Sequence, residues 1–423
     1  MRILKLGSNG SDVMKIQAVL KKIGYDTGVV DGAFGNKTRS AVINFQSNNG
    51  LTSDGIIGVS TNKILDKFIL GFNVYTIRPG DTIYNIAKAH YTTVNRIITA
   101  NANLNLNNLI VGRSIIVPFG IDVVDTNVDY TYDIMEKDIE GLVERYPFIE
   151  TGIAGKSVLG KNLYYIKLGR GVNQVFYNGS HHALEWITSP LLMKFIENFS
   201  KAYADGTTIK GYDIRDIWNR STIYIIPMVN PDGVNLVIDG LQKENPYYSK
   251  LIEWNKGNMN FSKVWQANSR GVDLNHNYDA SWNLSKQAEA IYGITGPGPT
   301  RYSGLYPESE PESRAIANFT RSHNFRLVIA YHSQGEAIYW TYSNIMPRDS
   351  RAIAELFARV SGYKLEIPTG IVSYAGYKDW FIDKYVRPGF TFEVGKGKNP
   401  VALNQFDKIY NDNIEILLLA PIV

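Results

Sequence analysis

Four short apolar runs limit what the C-terminal three hundred residues of this chain can become. NQVFYNG (173–179), STIYIIPMVN (221–230), RLVIAYHSQ (326–334) and GFTFEVG (389–395) are rich in β-branched and aromatic side chains. Segments with helical periodicity stand among them, at about 184–202, 310–322 and 403–418. A strand that is apolar throughout needs cover on both faces. The alternation therefore predicts an α/β unit over 124–423, its sheet covered by helices. In such sheets reactive groups collect where strands end.

Composition narrows the chemistry. The chain of 423 residues is long enough for roughly three domains, and 44% hydrophobic and 12% aromatic residues are globular values. The formal charge of +4 is spread out, with no basic run to suggest a nucleic-acid partner. The 27 tyrosines suit a carbohydrate or anionic polymer, since a phenol ring stacks on a sugar face while its hydroxyl hydrogen-bonds. Cysteine is absent, which excludes disulfides, thiolate ligands and a cysteine nucleophile. A metal would have to be held by His, Asp or Glu, and the histidines are only His90, His181, His182, His276, His323 and His332. No stretch approaches the ~18–20 apolar residues of a membrane span, and MRILKLGSNG shows no export signal.

Before residue 124 the chain has two smaller segments. In the first, 1–70, DGAFGNKT (31–38) recurs as DGIIGVST (54–61). Asp-Gly supplies a turn, the glycine a left-handed position, and the threonine an expected helix N-cap. With GSNGSDVMKIQAVLKKIGY in front, this small all-α segment resembles the three-helix peptidoglycan-binding module. The second, 73–119, opens on the strand VYTI and a Gly-Asp-Thr helix start. It continues with a helix presenting Ile83, Ile86 and Ala87 on one face, a second helix, TVNRIITAN, and a closing strand, SIIVP. This βααβ pattern is similar to a LysM domain, which implies glycan binding. His90 is expected on a solvated helix face.

Three of the apolar runs end on unusual polar groups: NQVFYNG leads into SHHALEW, RLVIAY into His332, and GFTF into Glu393. His182 and Glu185 stand three apart, which at a helix start places them on one face. His181 lacks such a partner, because position 184 is leucine. His182, Glu185 and His332 then supply the His/His/carboxylate set of a catalytic zinc with an open water position. Glu393, partly buried at a strand end, is suited to take that water's proton.

HALEWI, NPDG (230–233), GVDLN (271–275), HSQG (332–335) and FTFEVG occur in this order. Together they resemble the zinc carboxypeptidase family, across nearly all of 124–423, which implies a mixed sheet of about eight strands. The resemblance makes His182, Glu185 and His332 the Zn2+ ligands and Glu393 the general base. It makes Asp273 the aspartate that hydrogen-bonds a ligand histidine, and Arg270 the arginine that polarises the scissile carbonyl. Asn275 and His276 fall on the substrate-carboxylate clamp, where the family's forked arginine is replaced by histidine, a departure that argues against ordinary exopeptidase action. Counting back from Glu393 places Ile371 at the loop tyrosine position. Tyr374 or Tyr377 could substitute, Tyr374 being preferred, and Lys378 falls at the specificity position.

A catalytic domain of this kind behind two wall-binding segments is similar to bacterial γ-D-glutamyl-diaminopimelate endopeptidases. That implies peptidoglycan glycan strands and stem peptides as partners. The alternatives are a metallocarboxypeptidase removing a terminal residue, and an inactive wall-binding protein. Location at the bacterial wall, in a spore, or in the cytoplasm until release are all open to such a chain.

Overall fold

The computed structural model of the chain describes residues 2–106, 108–367 and 374–423. It divides into two compact units, Met1–Glu150 with Ile196–Ile209, and Thr151–Phe195 with Lys210–Val423. Compactness thus groups both small N-terminal segments with the stretch up to 150.

The first unit begins with helices Ser11–Lys22, Asn36–Asn48 and Val59–Leu70, packed around Val13, Leu20, Val42, Phe45 and Leu65. The repeated octapeptide proves to be half of a device. Buried Gln17 donates from Nε2 to Asp31 Oδ1, Ala33 O and Thr38 Oγ1, and its Oε1 accepts the N–H of Asp31 and Gly32. Gln46 repeats the pattern with Asp54, Ile56, Thr61 and the N–H of Gly55. Gly32 and Gly55 both take φ 74°, a turn that costs glycine little. The threonines, however, are not N-caps. Gly35 and Gly58 occupy those positions, while Thr38 and Thr61 lie inside the helices with their hydroxyls turned to the buried carboxamides.

Next come strands β1 (Phe72–Thr76) and β2 (Ser114–Pro118), antiparallel, with helices Ile83–Ala89 and Val94–Ala100 between them. Thr82 and Thr93 cap these helices by accepting from Asn85 N and Arg96 N. Ile83, Ile86 and Ala87 are buried as expected. His90 is not on a solvated face. It ends its helix with Nδ1 2.9 Å from Ile86 O, and its ring meets Tyr75 edge-on and stacks on Phe119. In the same unit, buried Lys15 lies between Asp125 (2.9 Å) and Asp138 (3.0 Å), the latter on helix Tyr132–Arg145. Burial works against its charge, but the two carboxylates hold the ammonium pKa above its usual range.

The second unit is built on one mixed sheet. Its strands are β3 (Glu150–Lys156), β4 (Asn162–Gly169), β5 (Asn173–Gly179), β8 (Ser221–Ile226), β9 (Leu327–His332), β10 (Ala337–Tyr339), β11 (Lys364–Glu366) and β12 (Gly389–Glu393). The two-residue strands β6 (Thr208–Ile209) and β7 (Tyr212–Asp213) lie outside it. The order is β11-β10-β12-β9-β5-β8-β4-β3, eight strands, of which β12, β9, β5 and β8 run parallel. β8 and β9 are buried at every residue, which is why their sequences are apolar without alternation. The apolar runs identified from sequence are these four parallel strands, so three chemically loaded strand ends emerge on one edge.

Candidate active site

Strand β5 ends at Gly179, and Ser180 turns the chain with φ 54°, a left-handed conformation that a serine rarely adopts. The strain is held by its surroundings: Ser180 N donates to Thr188 Oγ1 (2.8 Å), and its hydroxyl meets Thr188 and Ser189. The segment after it is a short 3₁₀ turn, Ala183–Glu185, not the start of the helix, which begins at Thr188. With three residues per turn, positions i and i+3 eclipse. The Glu185 N–H donates to His182 O at 3.1 Å and closes the turn that brings the two side chains together.

His182 Nδ1 lies 2.9 Å from Glu185 Oε1, and His332 Nδ1 lies 2.8 Å from Glu185 Oε2. The ligand atoms of the three residues fall within 4.8 Å of one another. The other nitrogen of His182 is engaged by Asp273 Oδ1 at 3.1 Å, which leaves Nδ1 facing the centre. Asp273 is itself fixed by Asn275 N and Arg301 N. Burial would raise its pKa, yet the charge of His182 and these donors keep its carboxyl well below the usual range. Burial likewise opposes protonation of His182, but Glu185 and Asp273 raise its pKa well above the usual imidazole value. Two histidines and a carboxylate converging on one point, one histidine oriented from behind, fit a catalytic zinc.

Glu393 ends β12 directly opposite His332 in the parallel register. Burial, and then the negative Glu185 nearby, push its pKa well above the ordinary carboxylate range. A carboxylate made more basic next to a metal centre is suited to accept a proton from water. Both groups border a cavity of about 420 Å³. Gln266, Gln334 and Asn399 also line it; Gln334 belongs to the polar His-Ser-Gln strand end seen in the sequence, and the other two did not stand out there. Asn399 donates to Ser333 O (2.7 Å) and to Glu185 Oε1 (3.3 Å), so it steadies a ligand carboxylate. Its only trace in the sequence is an Asn-Pro pair shortly after the base.

The residues expected to touch substrate are disposed differently. Arg270 is exposed, with Nε 3.3 Å from Tyr247 Oη and a guanidinium nitrogen 3.7 Å from Glu310, and it does not line the cavity. Asn275 accepts the N–H of Tyr377, and His276 is buried with Nδ1 3.2 Å from Tyr374 O. Both therefore hold the backbone of the following loop. Burial lowers the His276 pKa below the usual imidazole value. Lys378 is not solvated: it is buried, donates to Thr341 O at 2.6 Å and pairs with Asp379. Tyr377 is buried with its hydroxyl 2.9 Å from Thr320, which excludes it as a closing tyrosine. Tyr374 is half-buried, and Ile371 lies outside the described residues. His181, the bystander of the doublet, is fully buried with Nε2 2.9 Å from Tyr278 Oη.

A mixed sheet presenting His, Glu and His together with a basic carboxylate where its parallel strands end defines a metallopeptidase. The chain belongs to the zinc carboxypeptidase family, which residues 135–416 match. Residues 9–65 match a peptidoglycan binding domain and 75–118 a LysM domain, so the molecule carries modules of cell-wall association. Gamma-D-glutamyl-L-diamino acid endopeptidase 1 of Lysinibacillus sphaericus is 43% identical over 296 residues, covering 70% of this chain and 73% of that one. An uncharacterized Bacillus subtilis protein, YqgT, is 34% identical over 68% of this chain and 76% of its own length. Bovine thrombin-activatable fibrinolysis inhibitor shares the fold, with a TM-score of 0.51 at 20% identity over 69% of this chain and 95% of that one. Among the described residues no helix is long and apolar enough to cross a membrane.

Proposed function

We propose that this chain is a peptidoglycan endopeptidase that hydrolyses the bond between γ-D-glutamate and a diamino acid in wall stem peptides. One observation carries the reading: the zinc site and its base stand in one chain with two wall-binding modules. The 43% identity to an enzyme named for that bond supports it. Residues 1–70 and 73–119 serve to hold the catalytic part, 124–423, on glycan, raising the local concentration of stem peptides. The workplace is the bacterial wall or a spore.

His182, Glu185 and His332 would hold zinc, which would supply a water that ionises near neutral pH. Glu393 is placed to accept a proton from the attacking water and return it to the departing amine. Asp273 keeps His182 in the tautomer that leaves Nδ1 as the ligand atom. An exopeptidase would need a free cation to clamp a terminal carboxylate, and His276, at the clamp position, is buried against Tyr374 O. Lys378, at the specificity position, is paired inside the core. Digestion of purified muropeptides followed by mass analysis tests the proposal. Cleavage between D-glutamate and the diamino acid is expected; release of a single terminal residue alone would favour a carboxypeptidase.

A further inference from the structure

Hydrolysis of an amide places negative charge on the carbonyl oxygen as water adds, and a site of this kind needs a donor aimed at that oxygen. Arg270, the residue expected from sequence, does not border the cavity and is turned toward Tyr247 and Glu310. Gln266 lines the cavity together with Glu185 and Glu393. Its backbone is tied into the centre: Gln266 O accepts the N–H of Ala183, in the turn that carries His182 and Glu185, and its own N–H donates to Pro299 O. Its side-chain oxygen receives the Thr300 hydroxyl at 2.7 Å, a shorter contact than the 3.3 Å from that hydroxyl to Asp273. With its oxygen occupied, the carboxamide presents its two N–H bonds as the donors that remain.

We infer that Gln266, not Arg270, is the side chain that donates to the scissile carbonyl oxygen in the transition state. The inference rests on the peptidase reading above and assigns one further catalytic residue to it. In the step, water oxygen bonds to the carbonyl carbon while Glu393 takes the water proton. The π electrons move onto the carbonyl oxygen, where a Gln266 N–H meets them. Collapse re-forms the carbonyl and breaks the C–N bond, and Glu393 returns the proton to the leaving amine. A neutral amide is a weaker electrophile than a guanidinium.

The test uses the zinc-loaded full-length enzyme with L-alanyl-γ-D-glutamyl-diaminopimelate, comparing Gln266→Glu, Gln266→Ala and Arg270→Ala with wild type. Gln266→Glu keeps the shape, removes the donors, and is expected to lower kcat by about 10²–10³-fold, while KM changes little. Zinc content and melting temperature should stay at wild-type values. Affinity for a phosphinate isostere of the tetrahedral species should fall by the same factor as kcat/KM, and affinity for the product amine should not. Arg270→Ala should cost far less than Gln266→Glu. Wild-type kcat in Gln266→Glu, or an equal loss in Arg270→Ala, would overturn the assignment. Should the wild type release only a terminal residue, the proposed bond is wrong, and the Gln266 comparison is read on that reaction instead.

Discussion

Two buried polar constellations in this molecule look alike in composition and differ in how they are satisfied. Around Gln17, each donor and acceptor of the carboxamide meets a partner in the turn it braces, and Gln46 does the same one repeat later. Around Glu185, two histidines converge on one carboxylate while a second carboxylate, Glu393, stands close by, its pKa raised by burial and by the charge of Glu185. The first arrangement is complete and does nothing further. The second has its lone pairs aimed at a shared point and its charges in conflict, a combination that a divalent cation resolves. A closed network reads as scaffold, and an open one reads as a site.

The contrast can be broken experimentally, starting with its largest consequence. Chelation, or His332→Ala, should abolish muropeptide hydrolysis and lower the metal content of the isolated protein, while the far-ultraviolet circular dichroism stays unchanged. Glu393→Gln should retain zinc and lower kcat by about 10²–10⁴-fold, the range for loss of a general base; steady-state assays check it. Asp273→Asn should weaken zinc binding about 10–100-fold, measured by competition with a chromogenic chelator. Acid should act in the same direction. A protonated histidine cannot ligate, so zinc retention falls as pH drops. Gln17→Ala should spare catalysis on small soluble peptides. It leaves the N–H groups of Asp31 and Gly32 without their acceptor, at about 1–3 kcal/mol for such a buried loss, read from chemical denaturation followed by fluorescence.

Much of this was legible in the sequence. The four apolar runs named the parallel strands, and their ends named His182, Glu185, His332 and Glu393, because strand termini and short spacings are properties of the chain itself. What escaped depends on which way a loop faces. Nothing in NSRGVDLN says that Arg270 turns to Tyr247, or that Gln266, four residues earlier, lines the cavity. The repeat D-G-x-x-G-x-x-T was visible, but its glutamine partners lie fourteen and eight residues ahead of each aspartate, on a preceding helix. Lacking them, the threonines looked like caps. Lys378 shows the same limit: its position along the chain was identified, but its burial against Thr341 was not.

The pairing of Glu393 with His332 has one more consequence. Adjacent parallel strands lie about 4.8 Å apart wherever the backbone ladder is intact, so the spacing of the proposed base and the third proposed ligand is inherited from the sheet and not from any loop. Loops that carry none of Asp273, Gln266 and Asn399 can lengthen, shorten or change charge without moving that pair. Evolution has thus been handed two separate dials, one for which bond is cut and one for how it is cut. In this family new substrates should arise by rewriting the connections, with the strand ends left untouched.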